Sequence, residues 1–222
     1  MIDLRREGDI DVLRFDDGEN RFNDRFLGDL EAALDRVEAG DATALVTVGT
    51  GRFYSTGLDL PWLMGDGKDQ SGGFVARLQE FLARVLVFPI PTVAAINGHA
   101  FAGGAMLSLA HDSRLMRTDR GFFCLPEIDL ATGQPLTPGM TALIGARLPR
   151  QSFHEALLTG RRYGGEEAFA RGMVESHHGA DDLLPAARAR ARALGSHERD
   201  SVVNVKRSMW AHVEQALLRP LP

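Results

Sequence analysis

Ala94-Ala-Ile-Asn-Gly-His-Ala-Phe-Ala-Gly-Gly-Ala-Met-Leu-Ser-Leu-Ala-His-Asp112 is the stretch on which the fold turns. It carries no formal charge until Asp112, and with His99 neutral the uncharged run reaches back to Val85, 26 residues in all from Val85 to Ala110. That length invites a membrane-span reading. Pro89, Pro91, Asn97-Gly98-His99 and Gly103-Gly104 argue against it, because each break would leave backbone groups unsatisfied in lipid. The run parses instead as the end of a helix, a turn, a strand over Thr92–Ile96, a glycine-rich turn, and a new helix starting near Gly103.

The same unit appears upstream. Ala44-Leu-Val-Thr-Val48 is an apolar, β-branched run of strand length that feeds the loop Gly49-Thr-Gly-Arg-Phe-Tyr-Ser-Thr-Gly57. Before it, Ile2–Arg6 and Ile10–Phe15 alternate apolar and polar residues around Glu7-Gly8-Asp9, which predicts a hairpin. Helical spacing places one helix through Phe26, Leu27, Leu30, Leu34 and Val37, and another through Phe74, Leu78, Phe81, Leu82, Val85 and Leu86. Downstream, short strands are expected over Arg114–Thr118 and Phe122–Cys124. Helices are expected over Pro138–Arg147, Arg150–Leu158, Glu166–Arg171, Asp182–Leu194 and Ser201–Leu218. Strand-helix alternation without a linker or low-complexity tract predicts a single α/β domain over residues 1–222, with a core over about 1–160 and a helical C-terminal region over about 161–222.

Composition bounds the function. The 222 residues are 44% apolar and 25% charged, as in ordinary folded chains, and one cysteine, Cys124, allows neither an internal disulfide nor a cysteine-rich zinc site. Met1–Glu7 mixes charges where a secretory signal needs an apolar stretch, and Arg219-Pro-Leu-Pro222 is not the Ser-Lys-Leu peroxisomal address, so a cytoplasmic location is expected. The net charge of −5 argues against a nucleic-acid partner, but it is uneven. Residues 1–72 hold 8 basic against 16 acidic side chains and residues 73–222 hold 17 against 14, so the later part is expected to attract an anionic ligand. Only Lys68 and Lys206 are lysines, which leaves phosphate contacts mainly to arginine.

Three segments together carry a family resemblance: Phe53-Tyr-Ser-Thr-Gly-Leu-Asp-Leu60, Ala94–Asp112, and Phe122-Phe-Cys-Leu-Pro-Glu-Ile-Asp-Leu130. In this order they resemble the signature of the crotonase superfamily, the enoyl-CoA hydratases and isomerases, and most of all the Δ3,Δ2-enoyl-CoA isomerases. The resemblance implies a ClpP/crotonase fold of stacked ββα units, an acyl-CoA thioester substrate, a homotrimer or hexamer contacted through the helical tail, and no cofactor beyond the coenzyme A of the substrate. It places oxyanion donors at the N–H groups of Leu58 and Gly103, a catalytic carboxylate at Glu127, and substrate contacts at Thr56, Gly57, Asp59, Leu60, Met106 and Lys206.

The chemistry explains these residue types. Removing a proton beside a thioester carbonyl makes an enolate, and two main-chain N–H groups on glycine turns, one at a helix start, can hold the developing charge. Glu127 follows four apolar residues and a proline, surroundings that would raise its pKa toward 6–7. Alone it would read as a cap or surface carboxylate; beside the two loops it reads as a base. Hydratases of the family generally use a second glutamate three residues after the oxyanion glycine. That position is Met106, whose thioether accepts no proton, so the resemblance favours a double-bond shift by one carboxylate; core packing is the other reading of Met106. Dienoyl-CoA isomerases place a further carboxylate eight residues beyond, where this chain has Pro135, while Asp129 reads as a loop acid. The alternatives are another single-base acyl-CoA enzyme, such as a hydratase, lyase or thioesterase, or a non-catalytic acyl-CoA-binding protein.

Other residue groups mimic chemistry. His111-Asp112-Ser113 has the residue types of a hydrolase triad, but neighbours in sequence do not form that relay and no Gly-x-Ser-x-Gly elbow exists. Neither glycine turn continues as a Walker loop or a dinucleotide fingerprint. His177-His178 reads as an exposed loop pair rather than a metal site. Arg188, Arg190 and Arg192 spread around a helix and read first as solvated. His99 is open between a substrate contact and a structural hydrogen bond.

Overall fold

A computed structural model describes residues 1–129 and 136–221. The expected hairpin is β1 (Ile2–Glu7) and β2 (Ile10–Phe15), paired antiparallel with Glu7 opposite Ile10. Then come α1 (Asp24–Ala39), β3 (Ala44–Gly49), β4 (Phe53–Ser55), α2 (Leu60–Met64), α3 (Ser71–Leu86), β5 (Thr92–Ile96), β6 (His99–Phe101), α4 (Gly103–Ala110), β7 (Ser113–Arg117) and β8 (Phe123–Cys124). The chain continues with α5 (Pro138–Arg147), α6 (Arg150–Thr159), β9 (Arg162–Tyr163), α7 (Gly165–Ala170), β10 (Ser176–His178), α8 (Leu183–Leu194) and α9 (Arg199–Leu217).

The strands make two sheets. The larger runs β1-β2-β3-β5-β7-β10 and is parallel apart from the β1 edge; the smaller runs β4-β6-β8-β9. Each of β3, β5 and β7 passes to the larger sheet's smaller neighbour, as β4, β6 and β8, before the chain turns into a helix, which is the stacked ββα unit expected of this fold. The large sheet is buried on both faces, with Leu183, Ala187 and Ala191 of α8 against Val12, Val46 and Val93 on one side. Side chains of α1, α3 and α4 fill the other. Two-sided burial is why β3 and β5 read as continuous apolar runs rather than alternating ones. All eight residues of α4 are buried, which accounts for its all-round apolar sequence.

Three features depart from the sequence reading. The segments taken as glycine loops contain β4 and β6, whose three residues are too short to show periodicity. The C-terminal region is helical, but it also supplies β9 and β10 to the two sheets and α8 to a sheet face. The charge asymmetry is largely used internally: Arg77 pairs with Asp24 and Glu31, Arg84 with Asp35 and Glu38, Arg188 with Glu7, and Arg192 with Asp9. Four arginines from beyond residue 72 are therefore engaged by carboxylates of the acidic N-terminal part. Among the described residues no helix is long and apolar enough to cross a membrane.

Candidate active site

Pairing of β4 with β6 brings the two glycine turns side by side, with Phe53 opposite His99 and Ser55 opposite Ala100. Gly57, just after β4, has φ +85°, and a β-carbon there would stand 2.7 Å from the Gly103 nitrogen and 3.0 Å from the Phe101 oxygen. Only glycine permits both the backbone angle and the approach.

Among the described residues, one amide of the loop over residues 56–60 has no acceptor. The Thr56 N–H donates to Glu19 O (3.1 Å), Gly57 N–H to Ser55 Oγ (3.2 Å), Asp59 N–H to Phe22 O (3.0 Å) and Leu60 N–H to Leu58 O (3.0 Å). The Leu58 N–H has no acceptor among the described residues. Its orientation follows from its own peptide unit, because the Gly57 carbonyl accepts from the Phe22 N–H at 2.8 Å and a trans peptide points its N–H the opposite way.

The second amide belongs to Gly103, the first residue of α4. Helix-start amides lack intrahelical acceptors, and that of Gly103 finds none among the described residues. Ala102 before it has φ +48° and ψ −121°, a conformation that costs a non-glycine residue on the order of 1–3 kcal/mol. The positive end of the buried helix lies at this point.

β8 links this turn to the carboxylate. The Ala100 N–H donates to Phe122 O (2.9 Å) and the Ala102 N–H to Cys124 O (3.0 Å); three residues past Cys124 the chain reaches Glu127, at the head of a 3-10 turn over Glu127–Asp129. Both carboxylate oxygens of Glu127 are buried and have no hydrogen-bond partner among the described residues. Burial raises its carboxyl from an ordinary value to about 7. Asp129 is exposed beside it, and Pro135 lies outside the described residues.

The remaining expected contacts divide. Thr56 and Asp59 build the loop: the Thr56 hydroxyl donates to the Glu19 carboxylate at 3.1 Å, and Asp59 caps α2 by accepting from the Trp62 N–H at 3.3 Å while holding Asn23 Nδ2 at 3.1 Å. Leu60 opens α2 and is partly exposed. Met106 is 2% exposed and packs in the main core. Lys206 is turned inward. It is buried, with Nζ donating to Phe88 O and Ile90 O at 2.9 Å each and 2.6 Å from Asp112 Oδ2, so its ammonium is committed to tying α9 to the end of α3.

The mimics resolve into structure. His111 bonds Leu107 O and Thr47 Oγ1, Asp112 accepts from Thr92, and Ser113 bonds Glu175, so these neighbours point to different partners. His177 and His178 lie on strand β10, bonded to Thr118 and Ser176, and the described residues contain no metal-binding cluster. Cys124 is buried against Gly160 O. The His99 ring packs among Phe53, Phe101 and Phe122, with centroids 5.6, 5.0 and 5.6 Å away. Its Nδ1 has no partner among the described residues, so the structural hydrogen bond considered for it is not made there.

A spiral of ββα units that delivers two free loop amides and a buried carboxylate is the architecture of a known class, and residues 5–221 match the family of enoyl-CoA hydratases and isomerases. The chain belongs to that family. It is 31% identical over 225 residues to enoyl-CoA delta isomerase 3 of Arabidopsis thaliana, covering 95% of this chain and 92% of that protein. With the peroxisomal enoyl-CoA delta isomerase 2 of the same plant it shares 33% over 185 residues, 79% of this chain and 76% of that one. Among solved structures, a probable enoyl-CoA hydratase of Mycobacterium tuberculosis H37Rv aligns at TM-score 0.90 and 26% identity, over 97% of this chain and 91% of that one. An apo enoyl-CoA isomerase of M. tuberculosis aligns at 0.89, also at 26% identity, over 97% and 93%.

Proposed function

We propose that this protein converts a 3-enoyl-CoA to the 2-enoyl-CoA, with Glu127 as the single acid-base group. The thioester carbonyl accepts hydrogen bonds from the Leu58 and Gly103 N–H groups. The Glu127 carboxylate removes a proton from C2, and the electrons of that bond delocalise into a dienolate whose negative oxygen lies between the two amides. The protonated Glu127 then gives its proton to C4, leaving the double bond between C2 and C3. The reaction is redox-neutral and moves one proton, so it needs no metal, flavin or nicotinamide.

The observation that carries this reading is the residue type at two positions, Glu127 and Met106. The first is a buried carboxyl with a pKa of about 7 and no partner among the described residues; the second stands, buried in the core, where a water-activating glutamate would be expected. A carboxyl poised near neutrality can both accept and return a proton. The setting that goes with this reading is fatty-acid β-oxidation by a cytoplasmic homotrimer or hexamer. Conversion of 3-hexenoyl-CoA to 2-hexenoyl-CoA, followed by the absorbance of the conjugated thioester, tests it. Formation of 3-hydroxyacyl-CoA in place of isomerisation would favour a hydratase, and tight coenzyme A binding without turnover would favour a binding protein.

A further inference from the structure

The Leu58 amide is aimed by a segment that the acid-base chemistry does not touch. Residues 19–22 run alongside residues 56–59, bonded through Thr56 N–H to Glu19 O, Phe22 N–H to Gly57 O and Asp59 N–H to Phe22 O. At the head of this ladder stands Asn20, fully buried and left-handed at φ +52°. Its Oδ1 accepts from the Asp17 N–H at 2.9 Å, and its Nδ2 donates to Tyr54 O at 3.0 Å and Phe53 O at 3.2 Å. Its own carbonyl accepts from Ser55 Oγ at 2.7 Å, and the Ser55 Oγ in turn accepts from the Gly57 N–H at 3.2 Å.

An asparagine that served only a left-handed turn would need none of the bonds to Phe53, Tyr54 and Ser55, which lie more than thirty residues away in the chain. Instead its side-chain amide holds the carbonyls of Phe53 and Tyr54 in β4, and its own carbonyl holds the Ser55 hydroxyl, which also bonds Gly57, the residue whose carbonyl shares a peptide unit with the Leu58 N–H. We propose that Asn20 is a positioning residue for the oxyanion hole, its side-chain amide fixing the course of β4 at Phe53 and Tyr54 and thereby, together with Ser55 and Gly57, the direction of the Leu58 amide. The inference rests on the acyl-CoA reading above and adds to it a residue outside both glycine loops.

The test is Asn20→Gly, which keeps the left-handed backbone and the carbonyl while deleting the side-chain amide. Misplacing a catalytic group by 1 Å costs about 10²-fold. The expected result is a kcat for 3-hexenoyl-CoA lowered by roughly 10- to 100-fold, KM unchanged, and a weaker enolate absorbance when acetoacetyl-CoA is bound. General loosening of the fold would raise KM and lower Tm without that selective loss of the enolate signal. If Asn20→Gly does not fold, Ser55→Ala, which removes both relay bonds, is read in the same way. Wild-type kcat and enolate absorbance in a folded Asn20→Gly or Ser55→Ala overturn the proposal alone. Absence of both isomerisation and an enolate signal in the unaltered protein overturns the acyl-CoA reading, and the proposal with it.

Discussion

A β-carbon on Gly57 would lie 2.7 Å from the backbone nitrogen of Gly103, closer than any side-chain carbon tolerates. The two turns are therefore in direct backbone contact, and the space between the Leu58 and Gly103 amides depends on a missing side chain. Gly57→Ala, strained further by φ +85°, is expected to push the turns apart and lower kcat by about 10²–10³, the effect of losing one oxyanion donor. Circular dichroism of the folded variant together with isomerase kinetics checks this; full activity in Gly57→Ala would remove the oxyanion role of the pair.

Glu127→Gln keeps the shape of the side chain and deletes its basicity. It is expected to lower kcat by about 10²–10⁴. In the unaltered protein the base must be ionised, so kcat/KM should rise with pH and level off above about 7, where the carboxyl loses its proton. An acid limb centred instead near an ordinary carboxylate value would show that burial does not tune this group.

Glu127 and His111 should bend the stability curve in opposite directions. Burial raises Glu127 from 4.5 to about 7, so the native state holds that proton more tightly than the unfolded chain and its contribution is lost as pH climbs through this window. Burial lowers His111 from 6.5 to about 4, so its contribution is full above 6.5 and is lost as pH falls toward 4. Each shift corresponds to roughly 3 kcal/mol, and between pH 4.5 and 6.5 the two oppose each other. Removing the carboxyl exposes the histidine slope: on going from pH 7.5 to pH 5, Glu127→Gln should lose about 2 kcal/mol more stability in urea than the unaltered protein. Equal losses would contradict the raised carboxyl.

Lys206 separates packing from ligand binding. Lys206→Met leaves the Asp112 carboxylate and two carbonyls without their ammonium, and should cost about 3–5 kcal/mol of stability. KM for the acyl-CoA should stay the same, because the ammonium points into the protein. A raised KM with unchanged stability would restore a coenzyme A contact.

What was legible in the chain has a common physical origin. β3, β5 and α4 are almost wholly apolar, with Thr47, Thr92 and Ser108 their only polar side chains, because burial on all sides favours apolar residues, and that pattern survives in one dimension. Glu127 stood out for a related reason, a carboxylate set behind four apolar residues and a proline. Asn20 gave no comparable signal. Its partners lie more than thirty residues away, and a lone asparagine before Arg21-Phe22 looks like any turn residue.

Lys206 shows the reverse case. A lysine on an amphipathic helix reads as exposed, and only the packing of α9 reveals carbonyls and an aspartate waiting for its charge. By itself the sequence determined the α/β alternation, the two glycine turns and the buried carboxylate, since these depend on local residue type and burial. The tertiary structure decided which amides stay free and where they point. That outcome comes from pairing between three-residue strands and from hydrogen bonds across distant segments, neither of which leaves a periodic trace in the chain.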